Sequence, residues 1–332
     1  MEASLAQLAA AQGGAFTRAQ AVAAGLTDRQ VRTLLGSAWT DPYRGVYVSR
    51  AVLAAAGPEQ RHVLLTAARV LTTTLDAVGS HRTAALVHQL PVLGRPPAAP
   101  QLTRAPRHPR DRSETPRLKV APLPPADRAV PGGIPVTSLA RTACDVARTT
   151  SFREAVVLAD AVLRRGVTDL TAVAERVASW PGGQRSLPVA AFADGRADGP
   201  LESITRVAYA TGGLPPPETQ VEVRASDGTF LGLVDFLWRD QRVVGEADGL
   251  GKYDGLLALP KEKLREEGLR ACGLEVVRSV WDDVWTAPAQ ARTIARVRQA
   301  FAFAADRPLV PGVTFRTPSL AELLSPPWLR SY

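Results

Sequence analysis

Leu233-Val234-Asp235-Phe236-Leu237-Trp238-Arg239-Asp240-Gln241-Arg242-Val243-Val244-Gly245-Glu246-Ala247-Asp248-Gly249 reads as two apolar strands joined by a short polar turn. A carboxylate inside an apolar strand is costly unless something neutralises it, and this stretch holds two, Asp235 and Glu246. Adjacent antiparallel strands with a short turn bring those two positions side by side. Clustered carboxylates repel one another unless a divalent cation joins them. Mg²⁺ takes few protein carboxylates, keeps several waters and activates one of them against phosphate.

Working outward, the order of elements is regular. A helix is predicted from Pro200 to Thr211, with proline near its first position, Glu202 in its first turn and Gly212-Gly213 past its end. Strands follow at Gln220–Ala225, Phe230–Trp238 and Gln241–Ala247, the first two joined by Ser226-Asp227-Gly228. A helix over Leu259–Cys272, a strand over Leu274–Ser279 and a helix from Asp282 to Ala304 complete the run. The pattern αβββαβα implies a small mixed sheet with helices on both faces.

A helix-borne Glu202, then Asp235, then Glu246 eleven residues on, is the pattern of the PD-(D/E)XK restriction-endonuclease-like superfamily. The closer resemblance is to its very-short-patch-repair-like branch. It rests on Gly199-Pro200-Leu201-Glu202-Ser203, Leu233-Val234-Asp235-Phe236, and Glu246-Ala247-Asp248-Gly249 with Lys252-Tyr253. Glu262-Lys263-Leu264-Arg265-Glu266 and the stretch Leu269 to Arg278 complete it, over about residues 200–285. The resemblance implies Asp235 and Glu246 as ligands of Mg²⁺ (or Mn²⁺), with Glu202 assisting. It also exposes a departure: where the motif most often has lysine, two residues after the glutamate, this chain has Asp248. A lysine there would orient the water and stabilise developing charge. Lys252 and Lys263 are the candidates for a relocated ammonium.

The first fifty residues read as three short helices and a hairpin. Ser4, Thr17 and Thr27 are placed as helix caps, and Trp39 to Val48 as a tight β-hairpin, the order of a winged helix. Phe16-Thr17-Arg18-Ala19-Gln20, the run Gly25 to Arg32 and Tyr43-Arg44-Gly45-Val46-Tyr47 resemble the N-terminal domain of AbiEi-type antitoxins. The runs Ser80 to Ala85 and Val136 to Asp145 are similar to the region that follows in those proteins. The resemblance implies a transcriptional autoregulator of a type IV toxin–antitoxin pair, with DNA and a cognate toxin as partners. By winged-helix logic Arg29, Gln30, Arg32 and Thr33 face the major groove and Arg44 the phosphates or minor groove.

Charge supports a divided molecule. The 332 residues carry 40 basic and 32 acidic side chains, a net charge of +8, but only four of the basic ones are lysine. A GC-rich coding sequence accounts for that bias as well as a polyanionic partner does. Residues 79–150 carry 11 basic and 4 acidic groups, whereas residues 201–290 carry 10 and 15. Arg104, Arg107, Arg110, Arg112 and Arg117 form a proline-broken segment, read either as a phosphate-tracking surface or as a solvated loop. Two distant cysteines and four histidines, all in the first third, argue against a disulfide framework, a zinc hydrolase or a His-dependent triad in the C-terminal half. Gly249-Leu250-Gly251-Lys252 lacks the spacing of a phosphate loop. No apolar run reaches membrane-spanning length and the start has no basic leader, so the expectation is a cytoplasmic protein.

The expected fold is thus α+β and multidomain. It has a winged helix over 1–50, a mixed α/β middle domain over 51–180 and a linker over 181–199. An αβββαβ restriction-endonuclease-like domain over 200–305 and a proline-rich tail over 306–332 follow. The expected function is DNA binding with Mg²⁺-dependent endonuclease activity. The alternative is a non-catalytic regulator or antitoxin whose nuclease fold only binds DNA or a partner.

Overall fold

A computed structural model describes residues 2–73, 75–108, 110–111, 117–249 and 258–325. Lys252 and Arg112 lie outside them. The chain divides into two compact units, one of residues 1–162 and 167–192, the other of 163–166 and 193–332.

The first unit opens with α1 (Glu2–Ala11), β1 (Ala15–Thr17), α2 (Arg18–Ala23), α3 (Asp28–Gly36), β2 (Trp39–Tyr43) and β3 (Val46–Ser49). The strands form a sheet in the order β1-β3-β2, so the hairpin gains a third strand from a segment that reads as a helix cap. Thr17 serves both roles: its backbone ends β1, and its side chain forms a capping box with Gln20 at the start of α2.

Alternation along β3 explains why this segment does not stand alone. Tyr47 turns toward Leu5, Phe16, Val31 and Trp39, where Phe16 meets Trp39 edge-on at 4.7 Å. Its neighbours Val46 and Val48 turn the other way, into a core with Ala67, Ala84, Ile134 and Val136. Those residues belong to α5 (Pro58–Thr72), which follows α4 (Arg50–Ala55), and to later elements of the same unit. The boundary drawn at residue 50 from the hairpin's end is therefore no boundary between cores.

The rest of the unit contains β4 (Ala77–Gly79), α6 (His81–Val87), β5 (Leu102–Arg104), β6 (Leu118–Val120), β7 (Arg128–Ala129) and β8 (Val136–Thr137), in a sheet ordered β6-β5-β4-β8-β7. α7 (Leu139–Ala147), α8 (Phe152–Arg164), α9 (Thr171–Val177) and α10 (Ser186–Phe192) follow. Arg141, fully buried on α7, is held by Asp127 at 2.7 Å and Asp145 at 3.0 Å, with its guanidinium 4.5 Å from the Trp180 ring. Residues 181–192, expected as linker, instead contain α10, because Leu187 and Ala190 close a small core with Cys144, Ala174 and Val177.

The second unit realises the predicted order, with the last helix split in two and a strand and a short helix added after it. Its elements are α11 (Pro200–Thr211), β9 (Glu218–Arg224), β10 (Phe230–Trp238), β11 (Val243–Ala247), α12 (Ala258–Ala271), β12 (Glu275–Ser279), α13 (Trp281–Val284), α14 (Ala287–Ala305), β13 (Thr314–Arg316) and α15 (Leu320–Leu324). The sheet order is β12-β11-β10-β9-β13; β11 and β12 are parallel and the other pairs antiparallel. One face carries Phe236 and Trp238 against Tyr209 of α11 and Phe301 of α14, in edge-on contacts of 4.9–5.4 Å. The other carries Leu237 and Val244 against Leu269 of α12. The tail is not merely extended: β13 adds itself to β9, and Arg316 grips Glu222 with two hydrogen bonds of 2.9 and 2.5 Å.

Candidate active site

Strand register assembles the candidate residues. The pairs Phe236↔Gly245 and Leu237↔Val244, carried one residue further, set Asp235 opposite Glu246. Side chains so opposed have Cβ atoms about 4.5–5.5 Å apart. On the other side, Val234↔Val221 and Phe236↔Thr219 set Gln220 beside Asp235, while the parallel pair matches Glu246 with Arg278. A polar row, Gln220–Asp235–Glu246–Arg278, therefore crosses four strands. Glu246 lies on the side of α12, whose Arg265 reaches it.

Glu202 joins this row from the first turn of α11. The amide nitrogen of Gln220 donates to Glu202 Oε2 at 2.9 Å and to Asp235 Oδ1 at 3.1 Å, so one side chain bridges both carboxylates. Gln220 adopts φ +52°, a left-handed conformation rare for a non-glycine residue in a strand, and such strain gathers at functional sites. The backbone N–H of Asp198 donates to the same Glu202 oxygen at 2.9 Å, and that of Ala247 donates to Asp235 Oδ2 at 2.8 Å. All four acids, Glu202, Asp235, Glu246 and Asp248, are buried. Burial, and then the charge of Asp235, push the Glu202 carboxyl up to about 8.

Arginines supply the positive charge. Arg265 of α12 donates to Glu246 Oε1 at 2.8 Å, and Arg278 donates to Asp248 Oδ2 at 2.7 Å and to Glu266 at 2.9 Å. Lys263 does not take the role expected of it: its side chain is 79% exposed and lies 3.9 Å from Glu267 on the outer face of α12. Arg265, two residues on and 22% exposed, stands one helical turn before the buried Leu269 and so turns inward. Gly232 gives it room, since a Cβ there would meet the Arg265 chain at 3.0 Å, and its φ of +147° also favours glycine. Leu264, by contrast, is 67% exposed. The sequence signal for Arg265 was its i, i+4 relation to Leu269; Gln220, a neutral residue, gave none.

Among the described residues no group of three or more His, Cys, Asp and Glu side chains converges to hold a metal ion. Asp235 and Glu246 are the two acids that strand register sets side by side. Residues 250–257, which include Lys252, leave that nomination outside the described residues.

In the first unit the nominated side chains separate into two kinds. Arg29, Gln30, Arg32, Thr33 and Arg44 are all exposed, the first four on α3 and Arg44 in the turn between β2 and β3. Gln30, however, spends its carbonyl oxygen on α3 itself, accepting from Thr27 N at 2.8 Å and from Thr27 Oγ1 at 2.9 Å. The Thr33 hydroxyl donates to Arg29 O at 3.0 Å. Arg29, Arg32 and Arg44 remain the side chains that project without such a local bond among those described. The basic segment departs from a phosphate-tracking surface at its start, because Arg104 is buried and clamps Asp111 at 2.5 and 2.8 Å.

No protein-family model matches the chain. Two Mycobacterium tuberculosis proteins are similar to it: Uncharacterized protein MT2308 of strain CDC 1551 / Oshkosh and Uncharacterized protein Rv2248 of strain ATCC 25618 / H37Rv. Each is 32% identical over 173 residues, covering 49% of this chain and 63% of the relative. The chain thus spans less than two thirds of the length of the curated relatives it matches. Among the described residues no helix is long and apolar enough to cross a membrane.

Proposed function

We propose that the chain binds DNA through its first unit and hydrolyses phosphodiester bonds, with Mg²⁺ or Mn²⁺, at the carboxylate row of its second. The observation that carries this reading is the cross-strand juxtaposition of Asp235 and Glu246, with Glu202 tied to Asp235 through Gln220. Asp235 and Glu246 would hold the ion, which supplies neutralisation of phosphate charge and a water of lowered pKa. The chain's own residues do the positioning. Gln220 and the Ala247 N–H fix both oxygens of Asp235, and Glu202 holds a proton at neutral pH until a cation approaches. Arg265 takes the part of the motif lysine, offering a guanidinium at the edge of the carboxylates where phosphate charge develops.

A second reading has its own support. Arg265 on Glu246 and Arg278 on Asp248 neutralise two of the acids with protein charge, as a regulator or antitoxin that has lost cleavage would. Metal separates the two. On the nuclease reading, the full chain with Mg²⁺ or Mn²⁺ cleaves a nucleic acid, and Asp235→Ala abolishes both cleavage and calorimetric metal binding. A chain that binds no metal and cuts no DNA or RNA, with Asp235→Ala indistinguishable from it, excludes hydrolysis and leaves the regulator.

A further inference from the structure

Residues 80–85 and 136–145 stand out in the sequence, the carboxylate row makes no use of them, and in the first unit they come together. Register places their polar side chains on one face of the sheet. The pairs Val78↔Thr103 and Thr103↔Lys119 set Thr103 and Lys119 side by side on adjacent strands, about 4.8 Å apart. Ser80, two residues beyond Val78, returns to that face, and its N–H donates to Gln101 O at 2.9 Å. Thr137 shares the face, and its hydroxyl meets that of Thr142 at 2.7 Å, so α7 lies over it.

This row holds groups that the protein leaves unpaired. The Thr103 hydroxyl and the Gln101 amide oxygen are buried, and among the described residues neither has a hydrogen-bond partner. Such orphans are rare and costly, and they mark places where a ligand or an ordered water belongs. His81 is 3% exposed and has φ +55°, a left-handed backbone uncommon outside glycine. Its Nδ1 lies 2.9 Å from the Ser80 hydroxyl, and no described residue bonds to its Nε2. With Ser80 donating to Nδ1, the neutral ring carries its proton on Nε2. Burial holds this imidazole below its ordinary range, with Asp145 opposing and Arg148, Lys119 and Arg141 reinforcing the effect. The acids nearby are already engaged: Asp145 by Arg141 and Arg148, Asp127 by Arg141 and Arg176. Lys119 adds a further cation, half-buried on the edge strand β6 and without an ion pair among the described residues.

We propose that this row is a site for inorganic phosphate: Lys119, the Thr103 hydroxyl and His81 Nε2–H donate to its oxygens, and its own O–H donates to Gln101 Oε1. Phosphate keeps at least one O–H at neutral pH whereas sulfate keeps none, so the orphan acceptor selects between them. A DNA phosphodiester also lacks that proton, which separates this site from the exposed arginines of α3. Once bound, phosphate ties β5, β6 and the start of α6 together. Neither a metal ion nor the carboxylate row of the second unit takes part.

The test titrates the full chain in EDTA with inorganic phosphate at neutral pH, reading the thermal midpoint and the imidazole nitrogen resonances of His81. Phosphate should raise the midpoint and shift Nε2; sulfate at matched ionic strength should do neither. Lys119→Ala should lower the affinity for phosphate about ten- to hundred-fold. Thr103→Val should remove most of the response yet raise the midpoint of the phosphate-free protein, because a methyl group replaces a hydroxyl that has no partner. Lys263→Ala, an exposed lysine of the second unit, is the control and should respond as the parent does. An equal rise with sulfate, or a response that survives Lys119→Ala, overturns the phosphate site. So does displacement of phosphate by a DNA strand in a Lys119-dependent way, which would assign the row to the DNA surface. No response in the parent leaves the orphan groups to ordered water and likewise overturns it.

Discussion

Glu202 shows how one buried side chain reports the charge state of the whole site. Its carboxyl is pushed up to about 8 by burial and by Asp235, against an ordinary value of 4.5. The folded chain therefore keeps a proton that the unfolded chain releases above about pH 4.5. Stability from this group is fully present below that pH and is lost as pH rises through about 8. Chemical denaturation of the metal-free protein should show this as a slope approaching about 1.4 kcal/mol per pH unit. Glu202→Gln should remove most of it, and an unchanged slope in that variant would assign the dependence elsewhere. A second expectation concerns Arg265, to which the nuclease reading gives the part of the motif lysine. On that reading Arg265→Ala should bind Mg²⁺ more tightly, because one competing cation leaves Glu246, yet cleave about a hundred-fold more slowly. Lys263→Ala should match the parent in both measurements, since its ammonium lies outside the site.

At the scale of elements, β11 must satisfy two faces at once. Val244 and Glu246 face α12, while Gly245 between them faces the aromatic cluster. There a Cβ would lie 3.2 Å from Trp238 and from the Tyr209 oxygen. Gly245→Val should therefore lower stability by about 1–3 kcal/mol in a urea titration, with Tyr209 and Trp238 forced apart. Much of this unit is legible in the sequence, because charged residues inside apolar strands are conspicuous and the turn at Ser226-Asp227-Gly228 fixes the meander. The side-by-side placement of Asp235 and Glu246 is legible that way. Arg265 and Gln220 are not: an arginine on a helix reads as surface charge, and a glutamine in a strand carries no mark of what it bridges. α10 was hidden by Pro181-Gly182-Gly183, which reads as linker although the helix begins only three residues later. β13 was hidden because its pairing partner lies far back in the chain. Gln30 is exposed on α3 as expected, and nothing in the sequence signals that its oxygen is engaged in the helix's own first turn.

At the scale of the molecule, the two units differ in how they complete their cores. The first 50 residues bury Tyr47 on one side of β3, but Val46 and Val48 need residues from α5 onward. A fragment of residues 1–50 should lack cooperative thermal unfolding by circular dichroism, whereas residues 1–192 should show it. A cooperative transition in the short fragment would restore the boundary at residue 50. The second unit depends on β13 in another way. Arg316 meets Glu222 across a separation of 94 residues, and β13 closes the edge of β9. During synthesis at about 5–20 residues per second, that edge waits roughly 5–19 s for its partner. Through that interval a buried glutamate lacks its cation and a strand edge stands open to other chains. Translation speed between residues 222 and 316 thus becomes a determinant of yield.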